Sequence, residues 1–447
     1  MTSTHSAKPA SQAPIDTRII WAIALPAMVT NVATALIGVG DMWIVGRLDD
    51  AATQGAVDVG ARLFAILFTV MNFLKMGTTG LVAQSGERDG KDAQHAVLVR
   101  GLAVALAIGV GLLLLKPVLL PNLLVALGAE QNVLSAATIY AEIRYWTAPA
   151  VMVNLALMGF LIGRRQMTAV LIIEVLYNFI NVGLGLWFVL GLNWGIAGIG
   201  WSSFVAEFAK LAMVGALVLR GSDGRSLLQA VNAQNLRWGA LRPFLSVNRD
   251  LFLRTVILML ALAALTRLSA ERGAVTLAAN GIIYQMFVLT ALFLDGFENA
   301  AQVLNGERVG AKDRRGFAAY IRAILLRGMG AAALLSLAFA IFARPLLDSF
   351  AATNAVAEAA RANIVWLVII PFAGLAGFVF DGVFVGASWT RALLLSMAGA
   401  SLVFAASLWL TWPLGNIGLW ASFALFLAAR AGIQALMIPG LIKRDFG

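Results

Sequence analysis

The sequence predicts an all-α membrane protein: twelve transmembrane helices in two parallel six-helix repeats, an N-lobe and a C-lobe, around a central cleft. Three observations predict it. Residues are 60% hydrophobic and only 13% charged, with a mean hydropathy of +0.86. A soluble chain of this length carries nearly twice that charge. Long uncharged stretches recur, and the second half of the chain repeats the first.

Residues 1–16 are rich in Ser, Thr, Ala and Pro, and a disordered cytoplasmic tail is expected there. A signal peptide is not, because no basic region, short apolar core and cleavage site follow in order. The first span, 19–45, opens with 22 residues free of charge, from Ile19 to Gly40, enough to cross a ~30 Å hydrocarbon core. The next five spans are expected at 57–82, 96–120, 137–162, 168–190 and 195–219. The N-lobe is thus 17–219. A polar cytoplasmic linker, 220–242, precedes a C-lobe at 243–447. Its spans are expected at 250–268, 275–304, 317–342, 363–385, 392–412 and 416–441.

With the N-terminus in the cytoplasm, 17 Lys and Arg fall on the inner side. Six fall outside: Arg47, Lys116, Arg267, Arg272, Arg344 and Arg361. That bias predicts a multi-pass protein of the cytoplasmic (inner) membrane with both termini inside. The same distribution turns the net charge of +10 away from nucleic acid, since the cations sit in short loops.

The repeat is ungapped at 220 residues from Arg47-Leu48 to Gly90 and from Arg267-Leu268 to Gly310. It aligns Gly86-Glu87-Arg88-Asp89-Gly90 with Gly306-Glu307-Arg308-Val309-Gly310. Further on, Gly159-x-x-x-Gly163 answers Gly382-x-x-x-Gly386, and Trp201-x-Ser203-Phe204 answers Trp420-x-Ser422-Phe423. Six spans per half return the chain to its starting side, so the repeat is parallel, an arrangement used by transporters that rock around a cleft.

Cysteine is absent and histidine occurs twice, at His5 and His95, so thiolate and histidine metal sites have no ligands. No phosphate loop, nucleotide fold or catalytic triad spacing is present, which argues against an enzyme and against ATP-driven transport. No cofactor is expected.

Polar residues in lipid need a reason, since a carboxylate at mid-membrane costs roughly 2.5–3.5 kcal/mol. Asp41 stands deep in the first span and reads as a carboxyl that takes and releases a cation, against the plainer reading of a helix cap near Arg47. Glu174, Asn178 and Asn181 lie at i, i+4 and i+7 and so share one helical face. Tyr140, Ser202 and Ser203 lie at comparable depth, where hydroxyls also serve ordinary helix packing. The repeat puts Ala261 where the first half has Asp41, and Lys75 opposite Asp295. Lys75, Asp295 and Asp381 are therefore candidates for a cytoplasmic gate, with Glu298 one turn beyond Asp295. Asp250 and Arg254, at i and i+4, are expected to pair locally. Pro26 is a candidate hinge, because it removes a backbone hydrogen bond two turns into its span. Trp187, Trp194 and Trp201 bracket one outer turn, Trp409, Trp412 and Trp420 bracket its repeat, and all six read as interfacial belt residues.

These residues resemble the MATE family (multidrug and toxic compound extrusion), within it the DinF-like branch. The resemblance covers roughly 16–443. Its marks are Leu25-Pro26, then Asp41-x-x-x-Val45-Gly46-Arg47-Leu48, then Met76-Gly77-Thr78-Thr79-Gly80-Leu81-Val82-Ala83-Gln84. Val247-Asn248-Arg249-Asp250-x-Phe252-x-Arg254-Thr255, Leu294-Asp295-Gly296-Phe297 and Asp381-Gly382-Val383-Phe384-x-Gly386 continue it. The resemblance implies export of organic cations or amphiphilic drugs and toxins against inward proton or sodium flow. It implies that Asp41 and Asn181 belong to the coupling site of the N-lobe. The family often has an Asp four residues after this Asn, where the chain has Gly185, so Glu174 is the remaining candidate for a second carboxyl. A proton is expected rather than sodium, because sodium needs several oxygen ligands together. The expected partners are a small organic cation or amphiphile and the lipid bilayer, with the protein a monomer. A lipid or lipid-linked precursor flippase of related architecture is the alternative.

Overall fold

The computed structural model describes residues 16–45, 51–220 and 222–447. The expected disordered leader falls almost wholly on 1–15, and Gly46, Arg47 and Leu48 also lie outside the described residues.

Sixteen α-helices follow in order and no strand occurs among the described residues. The N-lobe holds α1 (Arg18–Val45), α2 (Ala51–Val70), α3 (Phe73–Asp89), α4 (Lys91–Ala126), α5 (Gln131–Tyr145), α6 (Ala148–Gly163), α7 (Met167–Leu186) and α8 (Gly195–Val218). A short amphipathic helix, α9 (Ser222–Ala230), leads to the C-lobe. There lie α10 (Trp238–Ala270), α11 (Ala274–Gly310), α12 (Arg314–Phe350), α13 (Asn354–Arg361), α14 (Ile364–Gly386), α15 (Thr390–Thr411) and α16 (Gly415–Phe446).

Ten stretches are long and apolar enough to cross a bilayer, and the pair α5 and α6, bent by 50°, makes an eleventh. One of the ten, Thr390–Phe446, has 57 residues, roughly 85 Å of helix, far more than one crossing needs. It folds back at the 3₁₀ turn Trp412–Leu414 and Gly415, so that α15 packs along α16. Ten, one and one give twelve crossings in two six-helix lobes.

The structure departs from the sequence expectation at three places. The second span breaks into α2 and α3 around Met71 and Asn72, where turn-type bonds run from Asn72 N–H to Thr69 O and from Leu74 N–H to Met71 O, both 3.1 Å. The fourth breaks at Trp146 and Thr147, just before Pro149, which stands in the first turn of α6. The seventh begins twelve residues early, because α10 runs through Arg242 and Pro243 into the stretch read as linker.

The repeat is visible in backbone and packing alike. Arg165 and Ser388, 223 residues apart, both turn the chain after a glycine-faced helix with φ of 60° and 57°. Gly195 and Gly415, 220 apart, start α8 and α16 with φ of 55° and 63°. In each lobe the glycine face presses on a backbone carbonyl: Gly159 of α6 against Lys75 O of α3, and Gly382 of α14 against Glu298 O of α11.

An even number of crossings puts both chain ends on one face, here called the terminal face. The lobes meet there: α3 packs on α11 and α14, and the first turns of α1 pack on α11, where Gly296 lies against Ala24 O and Met28. One apolar core runs through the N-lobe and across this seam to Leu294, Phe297, Leu304 and Val383. The half of the C-lobe away from the terminal face has its own separate core around Phe287, Phe404 and Trp420, and Trp420 is thus no belt residue: it is fully buried and donates from Nε1 to Asn280 Oδ1 at 2.9 Å. The lobes are thus fused at the terminal face and part toward the opposite, distal one.

Candidate functional site

Asp41 lies on α1 where that helix packs against α7, and Gly40 gives the close approach to Val182. Its side chain is 3% exposed, and Oδ1 is buried with no hydrogen-bond partner. The polar face of α7 stands beside it. Asn181, fully buried, donates from Nδ2 to Ser203 Oγ of α8 at 3.2 Å. Asn181 Oδ1 and Asn178 Oδ1 are buried without partners. Tyr140 of α5 is fully buried, and its phenolic oxygen accepts from Arg144 one turn on. Asp41 and Arg144 lie within electrostatic reach of each other and of both Tyr140 and Tyr177.

Asp41 therefore does not stand only among amides and hydroxyls: Arg144 brings a cation into the same pocket. That guanidinium is held over the Phe64 ring, 5.0 Å from its centroid. The arrangement can stabilise an ionised Asp41, while burial and the unpartnered oxygen favour a proton or a cation on it. Where a second carboxyl would stand, a Cβ on Gly185 would lie 3.0 Å from Ile44 Cδ1 and 3.6 Å from Ser202 Oγ. Ile44 fills that place with hydrocarbon.

Glu174 is not part of the Asp41 group. It lies two turns closer to the terminal face and bonds Lys210 Nζ of α8 at 2.6 Å, leaving Oε2 buried and unpartnered. Lys210 also stacks on Tyr177, 4.8 Å from the ring centroid. Glu207, one turn before Lys210, accepts from Asn154 Nδ2 at 2.7 Å.

The gate candidates separate. Asp381 is fully buried inside the C-lobe, bound by Arg254, by Gln434 Nε2 at 2.6 Å and by Arg430 at 3.6 Å. The expected local pair of Asp250 with Arg254 is not formed. Asp250 instead takes Arg249 at 2.8 Å and the Thr390 hydroxyl at 3.3 Å, leaving Arg254 to reach α14. Lys75 and Asp295 lie within each other's electrostatic reach across the seam, without an ion pair within 4.0 Å among the described residues. Most side chains that do bridge the lobes lie closer to the terminal face. Arg165 pairs with Glu307 through two bonds. Gln84 Nε2 donates to Gly386 O at 2.5 Å and to Ser388 Oγ at 2.8 Å, and Gln302 Nε2 to Met76 O at 2.5 Å. Asn31 Nδ2 reaches Leu292 O at 3.2 Å near mid-depth.

Pro26 lies inside a continuous α1, where its carbonyl accepts the Thr30 hydroxyl at 2.7 Å and Thr30 O accepts the Thr34 hydroxyl at 2.9 Å. The sequence reading missed Arg144, Lys210, Glu207 and Arg430. Their signal was the one used for the acids, a charge inside an apolar span.

Comparison with known proteins agrees with this fold. The MatE family profile matches residues 26–187 and 251–410, together well over half of the chain. The chain is 33% identical over 421 residues to the DNA damage-inducible protein F of Escherichia coli K12, covering 92% of this chain and 90% of that one. It is 24% identical over 450 residues to the probable multidrug resistance protein NorM of Rhizobium meliloti, covering 96% and 95%. Among solved structures, MATE in the bent conformation superposes with a TM-score of 0.86 at 17% identity, over 97% of this chain and 98% of that one. An outward-facing multidrug resistance MATE transporter of the MOP superfamily superposes at 0.85, also at 17% identity, over 96% and 97%.

Proposed function

The chain belongs to the MatE family of multi-pass membrane transporters, and on that premise we propose that it is a proton-coupled antiporter exporting organic cations or amphiphilic drugs and toxins. The observation that carries the reading is Asp41: a carboxyl deep in a membrane helix, 3% exposed, with one oxygen lacking any partner. Such a group is costly unless it is used.

In the proposed cycle the terminal face is cytoplasmic and the protein sits in the inner membrane, as the distribution of Lys and Arg suggests. The fused terminal face and the separate distal core suit an outward-open stage of alternating access. A proton entering from outside neutralises Asp41. Without its charge Asp41 no longer answers Arg144, and α1 loses that reason to hold its place against α5 and α7. Tyr140, Asn181 and Ser203 position the carboxyl and supply hydrogen bonds to either of its states. Return of the lobes delivers the proton inward and lets a cytoplasmic substrate take the site's charge in its turn.

A proton is favoured over sodium by the donor set. Ile44 fills the space beside Gly185, so one carboxyl and a few amide oxygens remain, fewer than a hard cation takes. The multidrug resistance for which the Rhizobium protein and the outward-facing transporter are named supports drugs as the substrate class.

The test is substrate-induced proton movement in sodium-free liposomes, with ethidium as the probe. Wild type should move protons with ethidium, and Asp41→Asn should abolish it. Transport that requires sodium, or that survives Asp41→Asn unchanged, would sink the proposal.

A further inference from the structure

Five carboxyl and amide oxygens among the described residues of the N-lobe are buried and lack a hydrogen-bond donor: Asp41 Oδ1, Asn181 Oδ1, Asn178 Oδ1, Glu174 Oε2 and Asn154 Oδ1. Three of their residues share one face of α7. They span seven residues, about 10 Å of helix, from the level of Asp41 toward the terminal face. Asp41 of α1 stands at the distal end. At the other end the Glu174–Lys210 pair adjoins Glu207, which Asn154 of α6 holds. Buried acceptors in folded proteins are served by a partner or by ordered water, and a water needs two to four polar neighbours. Those of α7 follow one another along one face, in a row that Asp41 continues.

We propose that this row is a hydrated proton path, with Glu174 the inner station that receives the proton Asp41 gives up. The inference rests on the reading of Asp41 as the coupling carboxyl and extends it to the route inward. Each water along the row takes one proton and passes one on. The Asp41 O–H bond breaks, leaving a carboxylate facing Arg144, and an O–H bond forms at Glu174 Oε2. No oxidant or further reactant is needed.

Lys210 makes the station switchable. Its ammonium is bonded to Glu174, while Glu207 lies one helical turn away within its field. Once Glu174 is neutral it no longer holds Lys210, which turns to Glu207. The other groups facing Glu174 are Tyr177 on its own helix and Lys75 from α3. The field of Lys75 also takes in Asp295 and Glu298 across the seam. A proton arriving at Glu174 therefore changes the charge that Lys75 meets on the N-lobe side alone. Loss of that proton to the terminal face returns Lys210 to Glu174.

The plainer reading is a static ion pair in a polar core. Infrared difference spectroscopy of the reconstituted full-length protein separates the two, because a protonated carboxyl shows a C=O stretch that a carboxylate lacks. A rapid acid step should give two such bands, one lost in Asp41→Asn and one lost in Glu174→Gln. Asn178→Leu interrupts the row with hydrocarbon and should slow the Glu174 band at least tenfold while the Asp41 band keeps its rate. Asn178→Ser, which restores an oxygen, should recover most of the loss and guards against a merely misfolded leucine variant. An Asp41 band without any Glu174 band overturns the path, as does a Glu174 band whose rate ignores Asn178→Leu. Absence of the Asp41 band, by contrast, refutes the coupling reading itself.

Discussion

Arg165 and Glu307 form the ion pair that ties the N-lobe to the C-lobe at the terminal face, Arg165 offered from the tight turn before α7 and Glu307 from the end of α11. Glu307 is 8% exposed and Arg165 34%, so the pair lies between a surface bridge and a buried one. Glu307→Gln should weaken closure of the lobes by about 1–3 kcal/mol. Spin labels at Asp92 and Arg391, on the terminal face of either lobe, should then show a second, longer distance. An unchanged distance distribution would deny the pair a role in closure.

The backbone approach at the same seam makes a second prediction. A Cβ on Gly80 would lie 2.5 Å from Val385 O, a main-chain atom with no freedom to turn aside. Gly80→Ala should cost about 1–3 kcal/mol of closure, the range for overpacking a tight contact. The same labels should report it, while the melting temperature of the separate distal core of the C-lobe moves less.

Asp381 is the only carboxylate bonded to Arg254 and Arg430 among the described residues. Asp381→Asn leaves two buried guanidinium groups facing an amide, which should cost about 3–5 kcal/mol. Thermal unfolding should fall sharply, and Arg254→Met combined with Asp381→Asn should recover part of the loss. Additive losses in the double variant would deny the coupling.

Orientation has its own test. Cysteines placed at Asn232, after α9, and at Glu358, on exposed α13, should label from opposite sides of the membrane, Asn232 from the cytoplasm. Reversed labelling would overturn the proposed direction of proton entry along with the topology.

How much of this was legible beforehand depends on the range of the interaction concerned. Spans and the repeat follow from composition and spacing, which are properties of the chain itself, so the twelve crossings emerged directly. The break at Trp146 was half visible, since Pro149 marks it, whereas the break at Met71 has no proline and no glycine to announce it. The start of α10 was hidden because Arg237, Arg242 and Pro243 look like loop residues, though Arg237 caps the helix and its first turns carry the other two. Asp41, Asn181 and Ser203 could be chosen because lipid makes any polar group conspicuous. Their cation could not be assigned, because Arg144 reaches the pocket only when α5 is folded against α2 and α8. Arg254 shows the same limit: the nearest acid in sequence was Asp250, but an acid 127 residues away on α14 holds it.

The methyl of Ile44 resting where a second carboxyl could stand sets a thermodynamic ceiling on the proposed machine. One coupling carboxyl, which must pass its proton on before it takes another, admits one proton per turnover. A single charge moving through ~150 mV yields roughly 3.5 kcal/mol, enough to hold a neutral amphiphile at a gradient of a few hundred-fold. For a singly charged cation the exchange moves no net charge, and the membrane voltage drops out, leaving the pH difference as the whole driving force. The protein would then clear neutral amphiphiles in any energised cell, and cationic ones only where the medium is more acidic than the cytoplasm.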